Sequence, residues 1–558
     1  VTLRNSDDGS RSSLRQVKKG NRSMNRRVLP AGSTWEEIRA KFRWDIPEDF
    51  NMAVACCDSW ADQYPDRRAL THMDGVGRAE DWSYGQLKSA SDRFASVLRE
   101  AGIGPGDRVA IFLPQCPEAL ITHFAAWKLG AITLPLFTLF GHDALRFRLA
   151  DSGARVVVTN SENIHKINEI QSDLDNLEAV FVVGGNGAQS YWDAIETAPA
   201  RLEITPTHSE DPAVLIYTSG TTGDPKGALH AHRFLIGHLP SVELHHPGIS
   251  GESDVGWTPA DWAWIGGLMD LAMPCLYYGV PVISGRMHKF DATEAFSLIR
   301  THGVTRLFLP PTALRMMRLA DVPPDLSIRS IGSGGESLGA DLLDWARDAL
   351  GAPINEFYGQ TECNLVLTSA SETMDVRPGS MGKPVPGHEV AVINAAGQVL
   401  EPEQIGEIAI RRPDPVMFLG YWNLPEKTET KFTGDWMRTG DLGRVDDDGY
   451  FWYVSRDDDV ITSAGYRIGP TEIETCLVGH RDVVMAAVVG VPDPVRTEIV
   501  KAFVVLRAGV SLEDIEAALI GRVKDRVSPH VAPRAIEAVD SLPMTATGKI
   551  MRRSLRER

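Results

Sequence analysis

From about residue 50 onward, apolar β-branched runs alternate with helical stretches, and that alternation leaves the chain few ways to fold. Runs at 109–113, 155–159, 179–183, 214–218, 280–283 and 306–309 read as buried strands. Between them lie helical patterns. Ser83 followed by Gln86 makes a capping box, after which Leu87, Ala90, Phe94, Val97, Leu98 and Ala101 recur at helical spacing. The fold class predicted is α/β, with parallel subdomains. After Gly406 the texture changes. Segments 406–411 and 449–454 read as strands joined by glycine and aspartate turns, a β-rich portion of the same large unit. Beyond the polar break 456–459, runs at 471–477, 484–491, 500–506 and 512–527 predict a small α+β domain. The expected division is therefore a basic tail over 1–30, a large domain over 31–457 and a small domain over 458–558. The tail is polar and read as flexible, or as an over-long translated start ahead of Met24.

A net charge of −17 argues against a nucleic-acid partner, which would demand a basic stripe. Six scattered cysteines show no C-x-x-C spacing, so neither a disulfide framework nor structural zinc is expected, and a reducing, cytoplasmic setting fits. The pairs His230/His232 and His245/His246 lack an evident third metal ligand. The longest apolar stretch, 263–276, is interrupted by Gly266, Gly267, Asp270 and Pro274, so integral membrane association is not expected.

The segment Tyr217, Thr218, Ser219, Gly220, Thr221, Thr222, Gly223, Asp224, Pro225, Lys226, Gly227 follows a buried strand. Glycines let backbone N–H groups approach an anion, hydroxyls donate further bonds, and lysine adds charge. The pattern suits a polyphosphate. It is not a Walker A loop, because Pro225 replaces the second glycine and Gly227 follows the lysine. The competing reading is an ordinary solvated Ser/Thr/Gly loop.

Together with later motifs in order, this segment resembles the adenylate-forming superfamily of acyl-CoA synthetases, peptide-synthetase adenylation domains and luciferases. The resemblance runs from about residue 50 to Lys549 and is nearest to medium-chain acyl-CoA synthetases. It rests on 217–227; on Gly334, Gly335 and Glu336; and on Phe357, Tyr358, Gly359, Gln360, Thr361 and Glu362. Later matches are 406–408, 439–441, 456–474 and 543–549.

The resemblance implies an ATP site built from Thr218, Ser219, Gly220, Thr221, Thr222, Gly223 and Lys226, with Gly335, Glu336, Ser337, Glu356 and Phe357 around the nucleotide. Tyr358 would stack on adenine, Thr361 would donate to the α-phosphate, and Glu362 would hold Mg²⁺. Asp441 would accept the ribose hydroxyls, with Arg456 near ribose and phosphates. Lys549 would bridge the acyl carboxylate and the α-phosphate in the first step, offsetting the repulsion of two anions. Asp458 would be a hinge for a mobile small domain, whose other face, with Ser463, Gly465, Tyr466 and Arg467, would meet coenzyme A.

By the same resemblance the acyl pocket draws on Trp262, Trp264, Gly334 and Gly359. Acetate-specific relatives carry tryptophan where this chain has Gly359, so the glycine is expected to open a tunnel and disfavour acetate. Both tryptophans also read as core aromatics. The implied reaction is ATP-dependent ligation of a short-to-medium monocarboxylic acid, straight or branched, to coenzyme A, with AMP and pyrophosphate released. An aryl acid and a carrier-protein acceptor stand as alternatives. Whether the enzyme is a homo-oligomer stays open.

Overall fold

Helix Tyr84–Glu100 begins where the cap places it: Gln86 N donates to Ser83 Oγ at 3.2 Å, and Ser83 N donates to Gln86 Oε1 at 2.8 Å. Its buried face, including Leu87, Phe94 and Leu98, packs on helix Pro117–Lys128. The fully buried Lys128 bonds the carboxylates of Asp58 (2.8 Å) and Asp92 (2.6 Å), tying these helices to the π-helical turn Val54–Asp58. These details come from a computed structural model. It describes residues 26–74, 77–185, 190–199, 202–218, 225–285, 287, 289–335, 338–456, 459–463, 466–493, 497–545 and 550–556.

Two large sheets form the first part of the chain. One has seven strands in the order Gly420–Tyr421, Lys226–Ala231, Pro212–Thr218, Ile132–Pro135, Arg108–Phe112, Val156–Asn160, Ala179–Val183. The last five of these run parallel, and the first two add antiparallel at one edge. The other sheet has nine strands. Its parallel centre includes Val282–Ser284, Gly256–Trp257, Arg306–Phe308, Ser330–Gly334 and Ile354–Gln360, and antiparallel strands close both edges. The predicted parallel α/β core is thus present, with antiparallel rims that apolar content alone does not separate from central strands.

A five-stranded antiparallel sheet follows, built on Gly406–Arg411, Trp436–Val445 and Phe451–Arg456. The small C-terminal unit carries helix Pro470–Val478, the long hairpin Val483–Asp493 with Thr497–Leu506, and helix Leu512–Arg526, around its own apolar cluster. Segment 263–276 is buried core: a π-helical stretch Gly266–Ala272 runs into helix Met273–Tyr277. Among the described residues no helix is long and apolar enough to cross a membrane.

The tail boundary at residue 30 is corrected. The Arg26 guanidinium lies over the rings of Trp60 and Tyr277, at 5.0 and 4.8 Å, and donates to Tyr277 O at 2.9 Å. The carboxylate of Glu243 accepts from Val28 N and Leu29 N at 2.6 and 3.1 Å, and Leu29 is buried. Cation–π and backbone contacts reward a basic segment that hydropathy assigns to solvent.

Candidate active site

Three sheets bring their ends to one place. Strand Pro212–Thr218 leads into the phosphate segment, and strand Lys226–Ala231 returns antiparallel, with Thr218 opposite Lys226. The segment therefore joins two strands, whereas a Walker A loop leads into a helix. Burial lowers the Lys226 ammonium pKa from its ordinary value. Gly227 has a packing reason of its own. A Cβ there would meet Leu215 Cδ1 at 2.9 Å and Tyr217 Cζ at 3.2 Å, so this glycine serves the sheet rather than an anion.

From the nine-stranded sheet, strand Ile354–Gln360 turns back as Asn364–Thr368 and places Thr361 and Glu362 at the hairpin tip. Tyr358 Oη donates to Asp441 Oδ2 at 2.6 Å, and Gln360 Nε2 donates to the same oxygen at 2.5 Å. Asp441 lies on the antiparallel sheet opposite Arg456, whose Nη1 is 3.4 Å from Asp441 Oδ1. Burial and the Asp441 carboxylate push the Tyr358 phenol pKa well up, so it remains a donor. The Asp441 carboxylate thus has a partner on each oxygen. Gln360 was not singled out from sequence, although it lies inside the motif that located Tyr358.

Glu362 is buried, and its Oε1 accepts from Tyr421 Oη at 2.5 Å. Tyr421 is the one hydrogen-bond partner of that side chain among the described residues. The phenol belongs to the short edge strand Gly420–Tyr421 of the seven-stranded sheet, and Lys226 Nζ sits 5.1 Å above its ring. No sequence motif marked it; the contact spans 59 residues. Glu356, one residue before Phe357, accepts from Leu338 N at 3.0 Å through Oε1, while its buried Oε2 has no hydrogen-bond partner among the described residues. Burial raises this carboxyl to about 8.

On the acyl side, Trp264 and Phe308 have ring centroids 5.4 Å apart, and Phe308 stacks on Phe357 at 5.6 Å. Gly334 lies under Phe357, where a Cβ would stand 2.4 Å from the ring, and Gly335, at φ +101°, faces Trp264 at 3.9 Å. Trp262 is buried in the main apolar cluster, so the core reading holds for it. The reading of Gly359 needs correction. A Cβ at this position would fall 1.5 Å from Asn364 O, so the hairpin itself excludes any side chain. The glycine therefore says nothing about a tunnel.

The assignments on Ser219, Gly220, Thr221, Thr222, Gly223, Glu336, Ser337, Asp458, Gly465 and Lys549 lie outside the described residues, as do the side chains of Tyr466 and Arg467. Ser463 is buried, on strand Ile461–Ser463. The loop carrying Lys549 is closed at its base by a bridge between Met544 and Ile550 and by Met551 N donating to Pro543 O at 2.8 Å. Among the described residues no three His, Cys, Asp or Glu side chains cluster as a metal site. The suspected histidines are buried: His246 bonds Ser330 Oγ at 2.7 Å, and burial lowers His230 and His245 to about 3, leaving them neutral.

Comparison with known proteins agrees with this geometry. The family described as AMP-binding enzyme matches residues 57–422, and the AMP-binding enzyme C-terminal domain matches residues 472–549. Acetyl-coenzyme A synthetase of Bacillus subtilis (strain 168) is 36% identical over 94% of this chain and 93% of its own. The human mitochondrial acyl-coenzyme A synthetase ACSM4 is 35% identical, over 92% and 91%. Among solved structures, a benzoate CoA ligase from Burkholderia xenovorans LB400 superposes with a TM-score of 0.80 at 28% identity, covering 91% of this chain and all of its own. The chain belongs to the AMP-binding enzyme family, in its acyl-CoA synthetase branch.

Proposed function

We propose that this acid–CoA ligase activates short-to-medium monocarboxylic acids, straight or branched. The observation that supports this reading is the convergence of Tyr358, Glu362 and Asp441 beside an apolar wall of Trp264, Phe308 and Phe357. Acetate would leave most of that wall uncovered, and burying a methylene contributes about 0.8 kcal/mol. The acyl carboxylate attacks the α-phosphorus of ATP, the bond to pyrophosphate breaks, and the thiolate of coenzyme A then displaces AMP from the acyl carbon. Thr361 donates to the α-phosphate, Lys226 and the hydroxyls of 218–222 take the leaving phosphates, Asp441 fixes the ribose, and Lys549 approaches from the small domain.

Glu362 would hold Mg²⁺. A hard cation that keeps water and phosphate oxygens requires only one or two carboxylates, so the Glu362 carboxylate can serve without a cluster of three ligands. When bound, the ion neutralises charge on the departing pyrophosphate. The burial of the Glu356 carboxyl, one residue before Phe357, supports its reading as one of the residues around the nucleotide. An aryl acid is the second reading, favoured by the three neighbouring rings of Trp264, Phe308 and Phe357 and by the likeness to a benzoate CoA ligase.

Pyrophosphate release measured with C2–C10, branched and aromatic acids, with and without coenzyme A, tests both readings. Highest kcat/KM between C4 and C10 is expected; a maximum with acetate or benzoate overturns the preferred one. AMP release without dependence on coenzyme A would point to a carrier-protein acceptor. Lys549→Ala should slow acid-dependent ATP–pyrophosphate exchange by about 10²–10³ and leave thioester formation from supplied acyl adenylate intact. Equal loss in both half-reactions would remove Lys549 from its role.

A further inference from the structure

The segment 414–422 braces two parts of the nucleotide site that lie on different sheets. Leu419 N donates to Leu229 O and Trp422 N to Gly227 O, both at 2.7 Å, which stitches the segment to the strand returning from the phosphate segment. Phe418 N donates to Glu362 O at 2.9 Å, which stitches it to the hairpin tip of the other sheet. Tyr421 stands between these seams, buried, its ring edge-on to Phe418 at 5.0 Å and its amide donating to Thr428 Oγ1 at 2.8 Å. Its hydroxyl ends on Glu362 Oε1, and its ring lies beneath Lys226.

We propose that Tyr421 is a positioning residue for adenylation, holding the Glu362 carboxylate and the Lys226 ammonium in register. The physical case has two parts. A buried carboxylate with one oxygen engaged by a phenol has a fixed rotamer and directs its second oxygen elsewhere, whereas an unengaged one can turn. A ring face below an ammonium restrains it as well, by cation–π attraction. Both groups thereby take their places before ATP arrives, and that pre-organisation is what an ion–triphosphate clamp requires. The inference rests on the reading of Glu362 as the metal-holding carboxylate.

Tyr421→Phe keeps the ring and removes only the hydroxyl. The Mg²⁺ concentration for half-maximal acid-dependent pyrophosphate exchange should rise about 10–100-fold, the usual cost of losing a partner behind a metal ligand. Mn²⁺ affinity, read by electron paramagnetic resonance with a non-hydrolysable ATP analogue and no turnover, should fall by the same factor. KM for the acid, and AMP release from supplied acyl adenylate with coenzyme A, should stay at wild-type values. Tyr421→Leu should in addition weaken the metal-free nucleotide, because Lys226 loses its ring. Wild-type Mn²⁺ affinity in Tyr421→Phe overturns the inference, as does an equal loss in both half-reactions. Glu362→Gln separates the two levels. If it too keeps wild-type Mn²⁺ affinity, the metal reading has failed; if it alone loses affinity, only the role of Tyr421 has.

Discussion

Glu356 shows how one buried side chain links stability to pH. Its carboxyl is held near 8, far above the ordinary carboxylate range, because burial strips the charged form of its solvation. Between the unfolded value, near 4.3, and about 8 the folded protein binds the extra proton, so its contribution is complete at low pH and is lost as pH rises through that window. Glu356→Gln removes the titration while keeping an acceptor for Leu338 N. The variant should therefore gain unfolding temperature relative to wild type progressively from pH 5 to pH 8, measured by calorimetry without nucleotide. A difference that stays flat with pH would mean that Glu356 is ionised in the folded state. At this scale sequence was a good guide to identity and a poor one to environment. Tyr358, Glu362 and Asp441 were legible as types at a spacing, but the Tyr358–Asp441 bond and the burial of the Glu356 carboxyl depend on which strands abut.

Among the elements, the hairpin Ile354–Gln360 with Asn364–Thr368 carries the most chemistry in the least space. Its register shifts between Tyr358 and Gly359, and Asn364 takes φ +45°, the left-handed region that asparagine tolerates. This irregularity brings Asn364 O against Gly359. Gly359→Ala should destabilise the protein at the upper end of the roughly 1–3 kcal/mol that overpacking costs, read from urea unfolding. Wild-type stability in that variant would restore the tunnel reading of the glycine. A motif match treats this position as a substrate determinant because it sees one residue against another. The neighbouring backbone that forbids a side chain is five residues away and enters only through the turn.

Across the whole molecule, the small domain ties its two functional ends together. Arg552 donates to Glu474 Oε2 at 2.7 Å and to Asp459 Oδ2 at 3.2 Å, and Arg556 reaches Asp459 Oδ1 at 3.0 Å. Arg552 and Arg556 thus fasten the helix after the Lys549 loop to the residue that follows the proposed hinge. Arg552→Met would leave the buried Glu474 carboxylate without its cation and Asp459 with Arg556 alone, at a cost of about 3–5 kcal/mol by comparison with other broken buried pairs. Hydrogen exchange should accelerate across 543–556 and 459–478 and remain unchanged in the seven-stranded sheet. Exchange that accelerates only at 552–556 would show that the two ends are not coupled.

Local order was readable along the chain: the Ser83 cap, strands such as Ala179–Val183 and Gly406–Arg411, and the motif residues in sequence. Short-range chemistry governs these features, because propensity, capping and apolar runs act within a few residues. Contacts between sheets were not readable in this way. The Tyr421–Glu362 bond and the docking of Arg26 on Trp60 and Tyr277 join positions tens to hundreds of residues apart. Their geometry follows from strand order and register, which many sequences with the same periodicity would satisfy differently. The identity of the proposed site residues was therefore local information, and the way Tyr358, Glu362 and Asp441 are held is a property of three sheets meeting.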